Sequence, residues 1–194
     1  FKAINRSELD SEVAIYMEDL LLPIHARNYS GKEYNNMMTN IRKCIELIFT
    51  SMAEKGLLPN KKNNGKYVFH DILVDSKGGI NTTWCSLILS GKEVKVGDKI
   101  RIESTNILPN VLKDSFQRLK EISAAYEHTV NKNANEQQQK NSRQTPEFLE
   151  SLGNPPYLLQ SMTLELCNII LWYANYLEEH DDEELNALNW NIIQ

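Results

Sequence analysis

The sequence contains no apolar run long enough to cross a membrane. Its longest apolar stretch is broken by Gln160, Ser161, Thr163, Glu165 and Asn168, whereas a spanning helix needs roughly 20 apolar residues in succession. Cysteine is scarce, with three among 194 residues. Cys44 and Cys167 fall in apolar helical runs, where a thiol behaves as a small hydrophobe. No disulfide framework and no metal-ligand spacing follow, so no metal and no cofactor are expected, and the compartment is read as reducing and cytoplasmic. Basic charge is not in excess either. A net charge of -5 excludes a broad basic face for duplex DNA but leaves room for a local basic patch on RNA. Neither a Walker loop nor a Gly-rich dinucleotide turn is present, Gly78-Gly79 lacking the rest of either pattern, and there is no G-x-S-x-G elbow. The chain begins at Phe1 without a methionine, so a native amino-terminal part is expected to precede it.

What the sequence has in abundance is helical periodicity. In Pro156 to Glu179, Leu159, Met162, Leu166, Ile169, Tyr173 and Leu177 recur at spacings of three or four, which puts them on one stripe of an α-helix. Leu158, Leu164, Ile170, Leu171 and Trp172 widen the stripe, as expected of a central bundle helix packed on two or three neighbours. A first helix is predicted over Ser7 to Arg27, capped by Ser7 with Asp10 and kinked or ended by Pro23. A second runs from about Ser30 to Lys55 with Met37, Ile41, Ile45, Ile48 and Met52 inward, and Gly56 stops it. The short link between these two predicts an antiparallel pair. Pro109 opens a third helix with Leu112, Phe116, Leu119, Ile122 and Tyr126 inward. Residues 131–144 read as a polar loop, and Thr145-Pro146 starts a short helix that Gly153 ends. Asp181 caps a final helix with Glu184 at its third position and Leu185, Leu188 and Ile192 on its packed face.

Between the second and third helices the texture changes. Asn60 to Lys66 reads as a polar turn or loop, and Glu93 to Glu103 alternates apolar and charged residues around Gly97-Asp98, the pattern of a hairpin. Thr82 to Leu89 fits a strand or a short helix. The expected architecture is therefore mainly α: one domain over residues 1–194, an antiparallel bundle of five or six helices with a small β-hairpin-containing insertion at 57–106.

Candidate chemistry is sparse. His70-Asp71 reads as a polar pair at a strand edge, His180 among Glu178, Glu179, Asp181 and Asp182 as a solvated helix junction, and His25 as a partly buried polar residue. His128 ends the third helix, where a histidine can act as general acid or base in RNA cleavage or simply stabilise a helix carboxyl terminus. Lys61, Lys62 and Lys66, with Arg42 and Lys43 on the second helix, form a basic set available to RNA phosphates.

The segments IRKCIELIFTSMAEKGLL, LPNVLKDSFQRLKEISAAYEH and IILWYANYL together resemble the HEPN superfamily, the higher-eukaryote and prokaryote nucleotide-binding helical domains common in bacterial toxin and antiphage systems. The resemblance covers about half the chain. Nuclease members of that family share an arginine followed after four to six residues by a histidine. Counting back from His128, those positions hold Glu121, Ile122 and Ser123, and the nearest arginine is Arg118. On a continuous helix Arg118 and His128 lie roughly 80° apart in direction and about 15 Å apart along the axis, too far to serve one phosphate. The resemblance thus implies a non-enzymatic or divergent HEPN-like module, in a bacterial defence or toxin-antitoxin system, that associates with itself or a protein partner and offers its basic set to RNA. Two other readings stand beside it: a metal-independent ribonuclease using His128 with Arg118 or Arg143, and a structural domain of a longer protein. An exposed apolar patch on the outer helices would support association, and a cleft uniting His128 with an arginine would support catalysis.

Overall fold

The computed structural model describes residues 11–27, 31–76, 78–130, 156–186 and 189–193. It is mainly helical, as the periodicities predict, with two small antiparallel sheets. The helices are α1 (Ser11–Ala26), α2 (Gly31–Glu54), α3 (Thr82–Leu89), α4 (Asn110–Val130), α5 (Pro156–Glu179) and α6 (Asp182–Asn186). The strands are β1 (Asn60–Asn63), β2 (Lys66–Phe69), β3 (Val94–Val96), β4 (Ile100–Ser104) and β5 (Trp190–Ile193). The predicted cap at Ser7 and Asp10, and the polar loop and short helix expected over 131–153, lie outside the described residues.

The element on which the others pack is α2 rather than α5. It touches α1, α3, α4, α5 and β2, and Met37, Ile41, Ile45, Ile48 and Met52 are all buried along it. Antiparallel pairing with α1 sets the Lys43 ammonium over the Tyr16 ring, 5.0 Å from its centroid. Phe49 stacks on Phe116 of α4 at 4.6 Å between centroids. The buried hydroxyls of Ser51 and Tyr173 of α5 share a 2.9 Å hydrogen bond. The helix ends in a Schellman arrangement: Leu57 N–H donates to Met52 O at 2.9 Å and Gly56 N–H to Ala53 O at 3.2 Å, with Gly56 at φ 85. Helix α1 does not stop at Pro23 but runs on to Ala26. Proline there removes only the bond to Asp19 O, one turn from the helix end, and Asp19 is exposed to water.

Two stretches differ from the sequence reading. Of the turn or loop expected over Asn60 to Lys66, the turn is present at Asn64-Gly65, both at positive φ, but the flanking residues are strands: β1 and β2 pair as a hairpin closed by the type I′ turn that Asn-Gly favours. The lysines and asparagines masked a strand signal carried by the turn itself. The final helix is also shorter than predicted. Asp181 does cap it, its Oδ1 accepting from Glu183 and Glu184 N–H at 2.9 Å while its own N–H donates to the Glu184 carboxylate, and Leu185 is buried. After Asn186, however, the chain crosses to form β5 against β4, with Ile192 opposite Ile102 and Trp190 opposite Ser104. The Trp190 indole N–H donates to Gly56 O at 3.0 Å, tying this strand to the end of α2. Leu188 lies outside the described residues.

The segment Thr82 to Leu89 is a helix, capped by Asn81, whose side chain accepts from Trp84 N–H at 3.1 Å. It ends at Gly91, at φ 68, where an added Cβ would lie 2.9 Å from the Asn106 backbone nitrogen. Gly91→Ala therefore combines a left-handed backbone penalty of about 1–2 kcal/mol with a backbone clash, and is expected to destabilise by about 2 kcal/mol or more, read from urea unfolding.

Candidate association surface

Each residue of α5 advances about 100° around the axis, so the buried set Leu159, Met162, Leu166, Ile169 and Tyr173 fixes which side remains outside. The sequence reading placed Leu164 and Leu171 on a widened packed stripe. They lie instead on the opposite side, 65% and 49% exposed, and Tyr157, one heptad before Leu164, is 80% exposed. Ile170 is buried and Leu158 and Trp172 are half-buried, as predicted. Ser161, Asn168 and Asn175, all exposed, complete the outer seam. From Pro156 to Leu177 the helix carries a single charged residue, Glu165.

That carboxylate is engaged by Arg118 of α4. The guanidinium pairs with both oxygens, its Nε donating to Oε2 at 3.1 Å and a terminal nitrogen to Oε1, a two-point contact that holds α4 against α5. The packing contacts give the helix directions. Phe49 meets Phe116 and Ser51 meets Tyr173, whereas Arg118, two residues beyond Phe116, meets Glu165, eight before Tyr173. Helix α4 thus runs antiparallel to α5. Val111, one heptad before Arg118 on the same side of α4 and 71% exposed, therefore comes level with the Leu171 end of the seam. The outer face of α5 is thus marked by Tyr157, Leu164 and Leu171, with the Arg118–Glu165 ion pair on its α4 side.

Helix α1 exposes a second heptad pair, Ile15 at 58% and Leu22 at 60%. Glu12, Glu18 and Asp19 flank it and are exposed, so this seam is acidic where that of α5 is neutral.

Of the residues proposed for catalysis, Arg118 and His128 are held apart along one helix. Arg118 is committed to Glu165, on the same unbroken helix as His128 and about 15 Å from it along the axis. The His128 side chain and Arg143 lie outside the described residues. The basic set is dispersed as well. Strand register pairs Lys62 with Tyr67 and Lys61 with Val68, and alternation puts Lys61 and Lys66 on one face of the hairpin and Lys62 on the other. Lys61 donates to Asp71 at 2.5 Å, and this hydrogen bond holds the Asp71 carboxyl below its usual range. Lys62 stands 5.9 Å from the centroid of the Tyr67 ring. Arg42 pairs with Glu46 at 3.0 Å, and Lys43 lies over Tyr16.

His25 is exposed rather than partly buried, and His70 and His180 are structural. His70 caps a single 3-10 turn, Asp71–Leu73. His180 stacks on Tyr176 at 4.1 Å and shares a 2.9 Å hydrogen bond with its carbonyl. One group escaped the sequence reading: Lys120, half-buried between α3 and α4, donates to Thr83 Oγ1 at 2.7 Å. Burial lowers its pKa, Glu121 partly opposes this, and Arg42 lowers it further. No local motif marks such a lysine, because its surroundings come from three separate helices.

No described helix is long and apolar enough to cross a membrane. No protein-family model, curated protein or solved structure matches the chain.

Proposed function

We propose that this chain is a non-enzymatic helical association module whose docking surface is the outer face of α5 with the adjoining edge of α4. The observation that carries the reading is the neutral heptad of Tyr157, Leu164 and Leu171. Single exposed apolar side chains are ordinary on a protein surface, but three at heptad spacing on one charge-depleted face form the pattern of a helix that packs on a partner. The HEPN-like component of the reading, and with it a role in bacterial defence, rests on the three helical segments quoted above. The proposal assigns no RNA site, because Lys61 and Lys66 project from the opposite hairpin face to Lys62.

A photo-crosslinking amino acid at position 164, compared with one at the remote Lys92, tests the reading in the expressing cell. Irradiation is expected to give a discrete covalent adduct from position 164 and none from 92. Absence of an adduct from 164 would refute the proposal.

A further inference from the structure

We infer that the partner on the α5 face is a second copy of this chain, docked antiparallel across a two-fold axis that passes between Cys167 and Asn168. This rests on the association reading above and specifies its occupant.

The argument is one of self-complementarity. A two-fold interface brings the same patch of both copies together, so any charge in the seam meets its own kind unless the register offsets it. With the axis between Cys167 and Asn168, Leu164 of one copy faces Leu171 of the other, and the Asn168 side chains meet beside the axis. A buried polar pair of this sort fixes register and orientation in paired helices. At the ends, Tyr157 of one copy faces Glu178 of the other, a phenol donor against a carboxylate acceptor. Glu165, the one charge between Pro156 and Leu177, is already neutralised by Arg118 within its own chain.

The same operation fails on α1. An axis between Glu18 and Asp19 would also set Ile15 against Leu22, but it would bring Glu18 of one copy onto Asp19 of the other. Like charges at such range oppose association. Charge therefore selects the α5 seam for self-pairing and disfavours the acidic one.

The size of the surface bounds the affinity. Tyr157 to Leu171 spans about 21 Å at 1.5 Å per residue, a single-helix contact that is small beside the roughly 20–30 residues a side of a standard interface. Reversible pairing in the micromolar range is expected rather than an obligate dimer.

Sedimentation equilibrium of the purified chain, from low micromolar to millimolar concentration, tests this. The wild type is expected to move from the mass of one chain towards twice that mass. Leu171→Glu is expected to remain at one chain mass with an unchanged far-UV circular dichroism spectrum and melting temperature. In a Cys167→Ser background, Asn168→Cys is expected to give a reducible covalent dimer on treatment with diamide, which places the axis. A wild type that stays monomeric throughout, or a Leu171→Glu variant that associates as the wild type does, would overturn the second-copy inference. The two readings fail separately. An adduct from position 164 to a different protein, with a monomeric purified chain, removes the second copy and leaves association standing, whereas no adduct and no self-association remove both.

Discussion

Leu166→Ala is expected to cost the fold about 3 to 4 kcal/mol, whereas Leu164→Glu, two residues away, should leave stability within about 0.5 kcal/mol of the wild type. The contrast follows from the helix geometry. Leu166 is fully buried among the helices on which α5 packs, so truncation removes apolar contacts and leaves a cavity that rigid neighbours fill only in part. Leu164 lies about 200° away around the axis, in water, and a carboxylate there is solvated in both folded and unfolded states. Urea unfolding at a concentration too low for pairing separates the two effects. Comparable losses from both substitutions would mean that Leu164 is packed within the monomer, and the docking surface would lose its basis.

Stability is also expected to fall steeply in alkali. Burial pushes the Cys44 thiol from 9.0 up to about 12, with nearby Cys167 adding to the effect. Burial raises Cys85 as well, its own backbone hydrogen bond and Lys120 opposing only in part. Burial likewise raises the Tyr173 phenol from 10.0, despite the hydrogen bond with Ser51. These groups hold their protons in the folded chain after the unfolded chain has released them. The folded state then binds more protons, so raising the pH favours unfolding. For the Cys44 thiol the stabilisation is complete below 9.0 and is lost as pH rises towards about 12. Each fully divergent group contributes a slope of about 1.4 kcal/mol per pH unit. The double variant Cys44→Ala, Cys85→Ala should show a shallower decline, with the Tyr173 contribution beginning nearer pH 10. Wild-type stability that stays flat from about pH 8 to pH 11 would contradict the burial of these groups.

The helices were legible in the sequence because each carries its own period and its own punctuation. Met37 to Met52 and Leu159 to Tyr173 declare an inward stripe, while Gly56 and Asp181 mark a stop and a start that the backbone hydrogen bonds realise. What was not legible depends on the rest of the chain. Ile192 suits a helix or a strand equally in so short an apolar run, and the choice is made by β4, whose edge the terminal segment pairs. Asn64-Gly65 was legible in principle, but the lysines and asparagines around it concealed the hairpin. Leu164 and Leu171 show the deeper limit. Their hydrophobicity placed them with the core, whereas side by side on a 3.6-residue helix they fall opposite Leu166 and Tyr173. Composition names apolar residues, and only the direction of each one separates a core from a docking face. Arg118 was legible as the arginine nearest to His128, yet its partner, Glu165, is 47 positions away, a distance that no local motif spans.

The most direct test of the account is a walk of the photo-crosslinking residue along α5, one position at a time from 157 to 175, with adduct yield measured in the expressing cell. If the outer face of this helix is an association surface, yield should peak at 157, 161, 164, 168, 171 and 175 and fall away at flanking positions pointing towards α4 or the core, giving a helical period. A flat profile, or a maximum on the Glu18 side of α1 with none on α5, would contradict it.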